Sequence, residues 1–272
     1  MKEEKSNGWL TIMLCIGAVI VIFPFLWTVL SAFKTPYEII KIPPSFFPAR
    51  LYWGGFQKVL FEAPFLLWMV NSLLVAVTTT VITMFTSALA GYIYAKFDFP
   101  GKRLSFLAIL ATLMVPFEVI LISTYMVADK LGLLNSLAGL IVPAMVSAFG
   151  IFLCKQFIEA IPSDLVESGR VDGASELRIF FQIIVPEIRP VLSALAIFTF
   201  MGSWNNYLWP LVAINDMEKM TVPLALYYFN TAHVAQYNVV MAAATLIMIP
   251  VIIVYLIFQR QFIEGLAMTG IK

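Results

Sequence analysis

The sequence predicts an all-α, polytopic membrane protein with six transmembrane helices and both termini in the cytoplasm. Composition is the first reason: 61% of the residues are hydrophobic, 12% are charged and the mean hydropathy is +0.92. About a quarter of the residues of a soluble domain are charged. The second reason is the presence of six charge-poor apolar stretches, each long enough for the roughly 20 residues that a helix needs to cross a bilayer. The formal net charge of +1 argues against a nucleic-acid partner, which requires a basic face.

The predicted spans occupy residues 9–33, 66–95, 104–126, 137–157, 191–214 and 237–258. The first stretch is too long for the apolar region of a signal peptide, so it counts as a span. No linker, low-complexity tract or internal repeat is visible, which favours one transmembrane domain over residues 1–272. Cys15 and Cys154 lie in different spans and are interpreted as small buried hydrophobes; neither they nor the scattered acidic residues predict a metal site.

Positive charge determines the predicted orientation. With both termini inside, 11 Lys and Arg residues fall on the cytoplasmic side and 6 on the outer side, which together make the 17 of the sequence. Short cytoplasmic loops carry an excess of these residues. The short connection 96–103, with Lys96, Lys102 and Arg103, shows the clearest bias. The Pro- and aromatic-rich outer segment 34–65 is predicted to be ordered.

A polar segment at residues 159–190 interrupts the apolar sequence on the cytoplasmic side. Ser163 or Asp164 is a candidate N-cap, and Glu167 follows at a spacing close to that of a capping box. A short helix from about Leu165 should end near Asp172 and Gly173, because glycine adopts turn conformations that other residues resist.

A second, amphipathic helix is predicted after this glycine corner. Leu177, Phe180, Phe181 and Ile184 repeat at helical spacing and should pack against the membrane domain. Two prolines at 186 and 190 should then redirect the chain into the fifth span. An ordinary interfacial loop is the alternative interpretation of this segment.

The spacing in this segment resembles the EAA loop of permease subunits in ATP-binding-cassette importers. That pattern runs Glu-Ala-Ala, three residues, Gly, nine residues, Ile, one residue, Leu-Pro. Glu167, Gly173, Ile183 and Pro186 fall in register with it. Three positions depart from it with small or apolar residues, namely Ser168, Gly169 and Val185.

A second stretch, Trp204–Leu211, is similar to the Trp-Asn-Asp-Phe-Leu-Trp-Pro-Leu motif of carbohydrate-import permeases related to the smaller membrane subunit of the maltose transporter, with Asn206 in the usual Asp position. Further pieces similar to that subfamily follow one another in order and cover nearly the whole chain: Tyr94–Gly101, Met114–Ile120, Leu131–Ser136 and Phe258–Leu266. The chain is thus identified as a member of this subfamily, for which a MetI-like permease fold is implied.

The resemblance implies a non-enzymatic translocation subunit in a prokaryotic plasma (inner) membrane. Its implied partners are two ATP-binding-cassette ATPase subunits, one homologous sister permease, an extracytoplasmic solute-binding protein and a sugar substrate. No cofactor is expected on this chain, because it has no Gly-rich phosphate-binding motif; ATP and Mg²⁺ would bind to the ATPase subunits.

Two sets of candidate site residues follow. The resemblance assigns an ATPase-coupling role to Glu167, Ser168, Gly169, Arg170, Asp172, Gly173, Ala174 and Pro186. Candidates for the translocation path or for a contact with another subunit are Glu118, Trp204, Asn205 and Asn206. Glu118 is ionisable inside a span, where charge is costly; a structural hydrogen bond is its alternative. Pro116, just before it, predicts a kink in the third span, because it leaves the carbonyl of Thr112 without its helical donor. Hydrogen bonds between helices are the alternative for the two asparagines.

Other functions remain as alternatives. The same machinery could import a polyol, glycerol phosphate or a peptide, because the coupling loop is shared across importers. An ion-coupled secondary carrier needs charged relays near the bilayer midplane, and apart from Glu118 the spans offer none. A membrane enzyme needs clustered His or acidic residues, which a chain with a single His does not provide.

Overall fold

The computed structural model describes residues 8–232 and 236–270, with side chains described for residues 8–230 and 236–257. Helices make up 78% of the structure, and the described part contains no strand. The predicted all-α class is therefore confirmed. The terminal residues 1–7 and 271–272, to which the cytoplasmic orientation was assigned, lie outside the described residues.

The helices, numbered in chain order, are α1 Gly8–Ala32, α2 Pro36–Ile39, α3 Gly54–Phe61, α4 Phe65–Lys96, α5 Lys102–Thr112, α6 Phe117–Lys130, α7 Leu137–Ile141, α8 Ala148–Glu159, α9 Ser163–Val171, α10 Glu176–Ile179, α11 Val185–Glu187, α12 Arg189–Trp204, α13 Leu208–Ala213, α14 Val222–Ala232 and α15 Tyr237–Gly270. Two 3₁₀ turns, Val142–Ala144 and Met217–Lys219, and a π-helical turn, Phe180–Ile184, complete the described elements.

Three helices are long and apolar enough to cross a membrane, and three bent helix pairs raise the number of spans to six if each pair counts as one. The long helices are α1, α4 and the part of α15 from Tyr237 to Ile257. The first two agree with the predicted spans 9–33 and 66–95 to within one residue at each end. The third begins at the predicted residue 237.

The predicted third span, 104–126, is not one helix. Helices α5 and α6 meet at an angle of 101° across the break 113–116. Pro116 has no N–H for the carbonyl of Thr112, and the backbone N–H of Val115 donates to that oxygen instead, at 3.3 Å. The kink predicted at Pro116 is therefore present, as a full break with Glu118 in the first turn of α6.

The predicted fourth span, 137–157, is also broken, with the segment Leu137–Ala144 and α8 inclined by 44°. Pro143 cannot donate to the carbonyl of Gly139, and the indole N–H of Trp209 donates to that oxygen instead, at 2.9 Å. Threonine hydroxyls on α4 satisfy two more carbonyls at the break: Thr83 donates to Ala144 and Thr86 to Met145, both at 2.9 Å. Neighbouring side chains thus supply the hydrogen bonds that a broken helix loses in lipid.

The predicted fifth span, 191–214, ends as a helix at Trp204 and resumes in α13. The backbone N–H and the side-chain amide of Asn205 both donate to the carbonyl of Met201, at 3.0 and 2.9 Å, so α12 keeps its last helical bond there. Pro210 offers no N–H to the carbonyl of Asn206. At its other end, α12 is bent by 81° from the segment Glu176–Glu187, as the prolines predicted.

The structure divides into two compact units: Met1–Leu66 with Ala225–Ile249, and Leu67–Leu224 with Pro250–Lys272. In the first unit the outer segment is ordered, as predicted. Lys34 is almost fully buried there; its ammonium donates to the carbonyl of Ser45 at 2.6 Å and lies 4.2 Å from the ring centroid of Trp27.

The second unit contains a close approach between α4 and α8 at Gly91. A Cβ on Gly91 would lie 2.7 Å from Cβ of Cys154 and 2.9 Å from the backbone N of Lys155. Helices α4 and α8 therefore pack with their backbones nearly in contact, as small residues allow in membranes.

Candidate functional site

The first helix of the polar segment, α9, begins at Ser163, two residues earlier than predicted. The predicted cap was wrong: Pro162 occupies the N-cap position, and no side chain caps the helix. Proline already has its φ in the helical range, so the helix can start directly after it. Asp164 remains in the first turn, where its charge favours the helix dipole.

The glycine corner is present as predicted. Gly173 has a φ of +77°, its N–H donates to the carbonyl of Arg170 at 3.0 Å, and the N–H of Ala174 donates to the carbonyl of Gly169 at 3.0 Å. This pair of bonds is the Schellman motif, which ends a helix with a left-handed residue. Ser175 then caps α10 by accepting from the N–H of Arg178 at 3.3 Å.

The buried face of the second helix differs from the predicted one. Phe180 and Ile184 are buried, as predicted, but Leu177 and Phe181 are exposed, and Ile179 is buried instead. The cause is the π-helical turn Phe180–Ile184. It places more residues in one turn than an α-helix does, so residues five apart share a face.

The packing around Gly169 explains why this residue departs from the EAA-loop pattern. It is buried, and a Cβ there would lie 3.1 Å from Cδ1 of Ile183 and 3.2 Å from Cγ1 of Ile179. The glycine lets α9 lie close against α10 and the π-helical turn. This contact offsets the helix propensity that glycine loses relative to alanine, about 1 kcal/mol.

A polar network fastens the segment to the end of α4. The hydroxyl of Tyr92 donates to Oε2 of Glu176 at 2.7 Å, and Nε of Arg170 donates to Oε1 of the same carboxylate at 2.7 Å. The bond from Arg170 holds the pKa of the Glu176 carboxyl below its usual range, and the bond from Tyr92 acts in the same direction. One turn later on α4, the ammonium of Lys96 donates to the carbonyl of Ile161.

Apolar packing supports the same attachment. Tyr92 is buried, with its ring centroid 5.3 Å from that of Phe97 and 5.9 Å from that of Phe180. Ile184 belongs to the same buried cluster as Cys154 on α8 and Leu195 on α12. The segment therefore packs in one buried cluster with α4, α8 and α12.

The predicted coupling residues divide by exposure. Glu167, Ser168, Asp172 and Gly173 are exposed at the corner, Ala174 and Pro186 are half-buried, and Gly169 is buried. Arg170 is exposed, but its guanidinium is engaged by Glu176. Two apolar side chains flank the corner, with Val171 87% and Leu177 63% exposed. We call the exposed set Glu167, Ser168, Val171, Asp172, Gly173 and Leu177 the corner surface.

A cavity of about 360 Å³ lies within the second unit, at the break after α12. Most of its polar lining is hydroxyl groups: Ser72, Thr79 and Thr83 from α4, Ser147 from the N-cap of α8, Thr199 and Ser203 from α12, and Thr221 just before α14. The hydroxyls of Thr79 and Thr221 are buried and have no hydrogen-bond partner among the described residues. Buried polar groups are normally satisfied, so these hydroxyls are suited to a polar ligand or water.

Of the four predicted path residues, the structure brings only Asn206 to this cavity. Its side-chain oxygen also accepts from the N–H of Trp209 at 3.4 Å. Trp204 is buried and stacks on Phe200, with ring centroids 5.8 Å apart. Asn205 and Glu118 are exposed elsewhere in the described chain. Their roles in the path stay predictions.

Sequence reasoning missed Tyr92 and the hydroxyl lining. The helical spacing of these residues in the sequence could have indicated both. Tyr92 and Lys96 are four residues apart at the end of a span, and the pairs Thr79 with Thr83 and Thr199 with Ser203 are also four apart. Residues at this spacing lie on one face of a helix.

Comparison with known proteins identifies the family of this chain. Residues 84–267 match the family model of the binding-protein-dependent transport system inner membrane component. The arabinooligosaccharides transport system permease protein of Halalkalibacterium halodurans is 34% identical, and the match covers 99% of each chain. The lactose transport system permease protein of Rhizobium radiobacter is 34% identical over 93% of this chain and 92% of its own.

A different solute appears in the name of another relative, the sn-glycerol-3-phosphate transport system permease protein of Pectobacterium atrosepticum, which is 35% identical over 94% of both chains. In fold, the chain resembles a subunit in the crystal structure of a bacterial ABC transporter involved in alginate import, with a TM-score of 0.81 at 24% identity, covering 96% of this chain and 99% of the other. The predicted permease fold is confirmed, and the chain belongs to the family of binding-protein-dependent transport system inner membrane components.

Proposed function

We propose that this chain is the translocation subunit of a sugar importer, driven by an ATPase that binds the corner surface. The observation that carries the proposal is the attachment of the corner to α4 through Tyr92, Glu176 and Arg170. An interfacial loop without a partner would not need a buried tyrosine and an ion pair to hold it against a span.

The attachment makes mechanical coupling possible. Because the corner packs in one cluster with α4, α8 and α12, a displacement of the corner moves these spans together. Packed cores change between discrete arrangements and do not deform continuously, so a small movement at one end can open or close a path. ATP hydrolysis itself is assigned to partner subunits.

Sugar is the solute that the cavity fits best. Its lining combines several hydroxyls with the amide of Asn206, which suits the hydroxyl groups of a carbohydrate. None of the described residues that line it is Lys, Arg or His. A phosphorylated solute such as glycerol phosphate would bring a charge that this lining does not balance, since buried charge requires a partner. The names of the arabinooligosaccharide and lactose permeases among the relatives support the same substrate class.

The cavity predicts a specific transport defect. Replacing Thr199→Val and Ser203→Ala together removes two hydroxyls and keeps the approximate volume. We expect the KM for sugar uptake to rise about tenfold, because each lost hydrogen bond contributes about 0.5–1.5 kcal/mol. Uptake of labelled sugar into proteoliposomes measures this. Ser193→Ala on the same helix, outside this cavity, is the matched control and should leave the KM unchanged. An unchanged KM in the double variant would show that the cavity does not bind the sugar.

The composition of the complex tests the proposal as a whole. Purified alone, the chain should hydrolyse no ATP, because it has no nucleotide-binding motif. Expressed with its partners, it should copurify once per complex, with one sister permease and two ATPase subunits, and the complex should accept solute from a solute-binding protein. Subunit stoichiometry by native mass spectrometry measures this. An active complex with two copies of this chain and no sister permease would contradict the proposed assembly.

A further inference from the structure

A second cavity, of about 610 Å³, lies in the second unit where α4 ends and α5 begins. Its wall is made by the turn 97–101, the first turn of α5 and the last turn of α8. Neither the coupling role nor the proposed sugar path uses it. By the predicted orientation, this connection lies at the cytoplasmic surface of the membrane.

Three basic side chains converge on this cavity from two helices: Lys102 and Arg103 from α5 and Lys155 from α8. Two carboxylates also line it. Asp98 pairs with Lys102 at 3.1 Å, and Glu159 pairs with Lys155 at 2.6 Å. Three positive and two negative charges leave a net charge of +1.

The unbalanced charge belongs to Arg103. Among the residues that the structure describes, no acidic group pairs with its exposed guanidinium. Helix α5 also begins without a side-chain cap, with Gly101 in the N-cap position at a φ of +81°. The N–H of Lys102 donates to the carbonyl of Phe99 at 3.2 Å, which leaves the N–H groups of Arg103 and Leu104 in the uncapped first turn to bind an anion. An arginine fork and backbone N–H groups together match the oxygens of a phosphate.

An aromatic and apolar wall adjoins the charged side. The ring centroid of Tyr94 lies 5.7 Å from that of Phe99 and 5.3 Å from that of Phe106, and the ammonium of Lys155 lies 4.8 Å from the Phe106 ring. Leu104, beside Arg103, is 75% exposed. A ligand that fits both sides has a phosphate at one end and an apolar chain at the other.

We infer that this cavity binds the headgroup phosphate of an anionic phospholipid of the cytoplasmic leaflet, with its acyl chains along Leu104 and Phe99. Basic pockets between transmembrane helices on this side of a membrane favour such headgroups. The lipid would hold the α4–α5 turn at a fixed depth, next to the turn of α4 that fastens the coupling segment.

The test uses the assembled importer, purified in detergent, stripped of lipid and titrated with phosphatidylglycerol, with bound lipid counted by native mass spectrometry. Wild-type protein should retain phosphatidylglycerol more tightly than phosphatidylcholine. Arg103→Gln should weaken retention about fivefold and Lys102→Gln with Arg103→Gln about thirtyfold, since each basic residue near the surface contributes about 1 kcal/mol.

Arg178→Gln is the matched control: it removes an exposed arginine of the coupling segment that bonds Gln182, outside the cavity, and should retain the lipid. Because the Arg103 side chain makes no ion pair within the described chain, the single variant should fold normally. Equal retention in Arg103→Gln and wild type would overturn the inference. So would displacement of the lipid by millimolar inorganic phosphate, which would make the cavity a site for a free anion.

Discussion

Replacement of Gly173 by leucine should leave the chain in the membrane but abolish attachment of the ATPase and substrate-stimulated ATP hydrolysis. Gly173 has a φ of +77°, where a side chain costs about 1–3 kcal/mol of strain. Apart from its two chain neighbours, nothing described lies within 4 Å of the position of its Cβ, so a leucine there would project outward from the corner surface. Copurification of the ATPase and uptake of labelled sugar measure the effect.

Two control variants distinguish backbone strain at position 173 from a steric clash with the ATPase. Gly132 ends α6 in the same Schellman motif, with a φ of +67° and an equally open Cβ position, but it precedes the fourth span. Gly132→Leu should carry the same strain and keep its ATPase. Gly173→Asn should be milder than Gly173→Leu, because asparagine tolerates the left-handed conformation.

Glu167→Ala should weaken the ATPase attachment less than Gly173→Leu does, because it shortens an exposed side chain and leaves the backbone intact. If Gly173→Leu keeps its ATPase and transports at the wild-type rate, the corner surface is not the ATPase site, and residues 159–190 form an ordinary interfacial connection.

Gly91→Leu should destabilise the second unit. The added side chain would meet Cβ of Cys154 and the backbone of Lys155 within 3 Å, and a backbone cannot move aside by changing rotamer. Helices α4 and α8 would have to separate, at a cost of about 1–3 kcal/mol or more. We expect a low yield of monodisperse protein and a Tm lower by roughly 5–10 °C.

Thermal unfolding in detergent measures this difference. Gly17→Leu is the matched control, because Gly17 also lies in an apolar span and has nothing within 4 Å of its Cβ position. Its Tm should stay within about 2 °C of the wild type. Equal stability of the two leucine variants would mean that α4 and α8 are not in close contact.

The sequence predicted the spans that are continuous helices and, apart from the kink at Pro116, missed the breaks in the others. Helix α4 was located to within one residue because apolar character and length alone define it. Breaks depend on which side chain satisfies a carbonyl freed by proline, and such partners are distant in sequence. The bond from Trp209 to Gly139 joins residues 70 positions apart. No local pattern contains that information.

The same limit applies to the candidate site. The glycine corner was predictable because a left-handed helix end has a local signature. The attachment of the corner to α4 was not predictable, since Tyr92 and Glu176 are 84 residues apart. The buried face of the second helix was mistaken because the pattern assumed α-helical spacing where the chain forms a π-helical turn.

The bond between Trp209 and Gly139 changes how the Trp204–Leu211 stretch should be understood. Its second tryptophan, Trp209, supplies to the carbonyl of Gly139 the N–H that Pro143 lacks. This part of the motif therefore stabilises the fourth span. A loss of transport in a Trp209 variant would then combine misassembly of the fourth span with a change in the cavity wall, because Trp209 also lines the cavity. Genetic searches for sugar contacts in this stretch should therefore start at Asn206, whose amide reaches the cavity, and should score protein abundance alongside uptake.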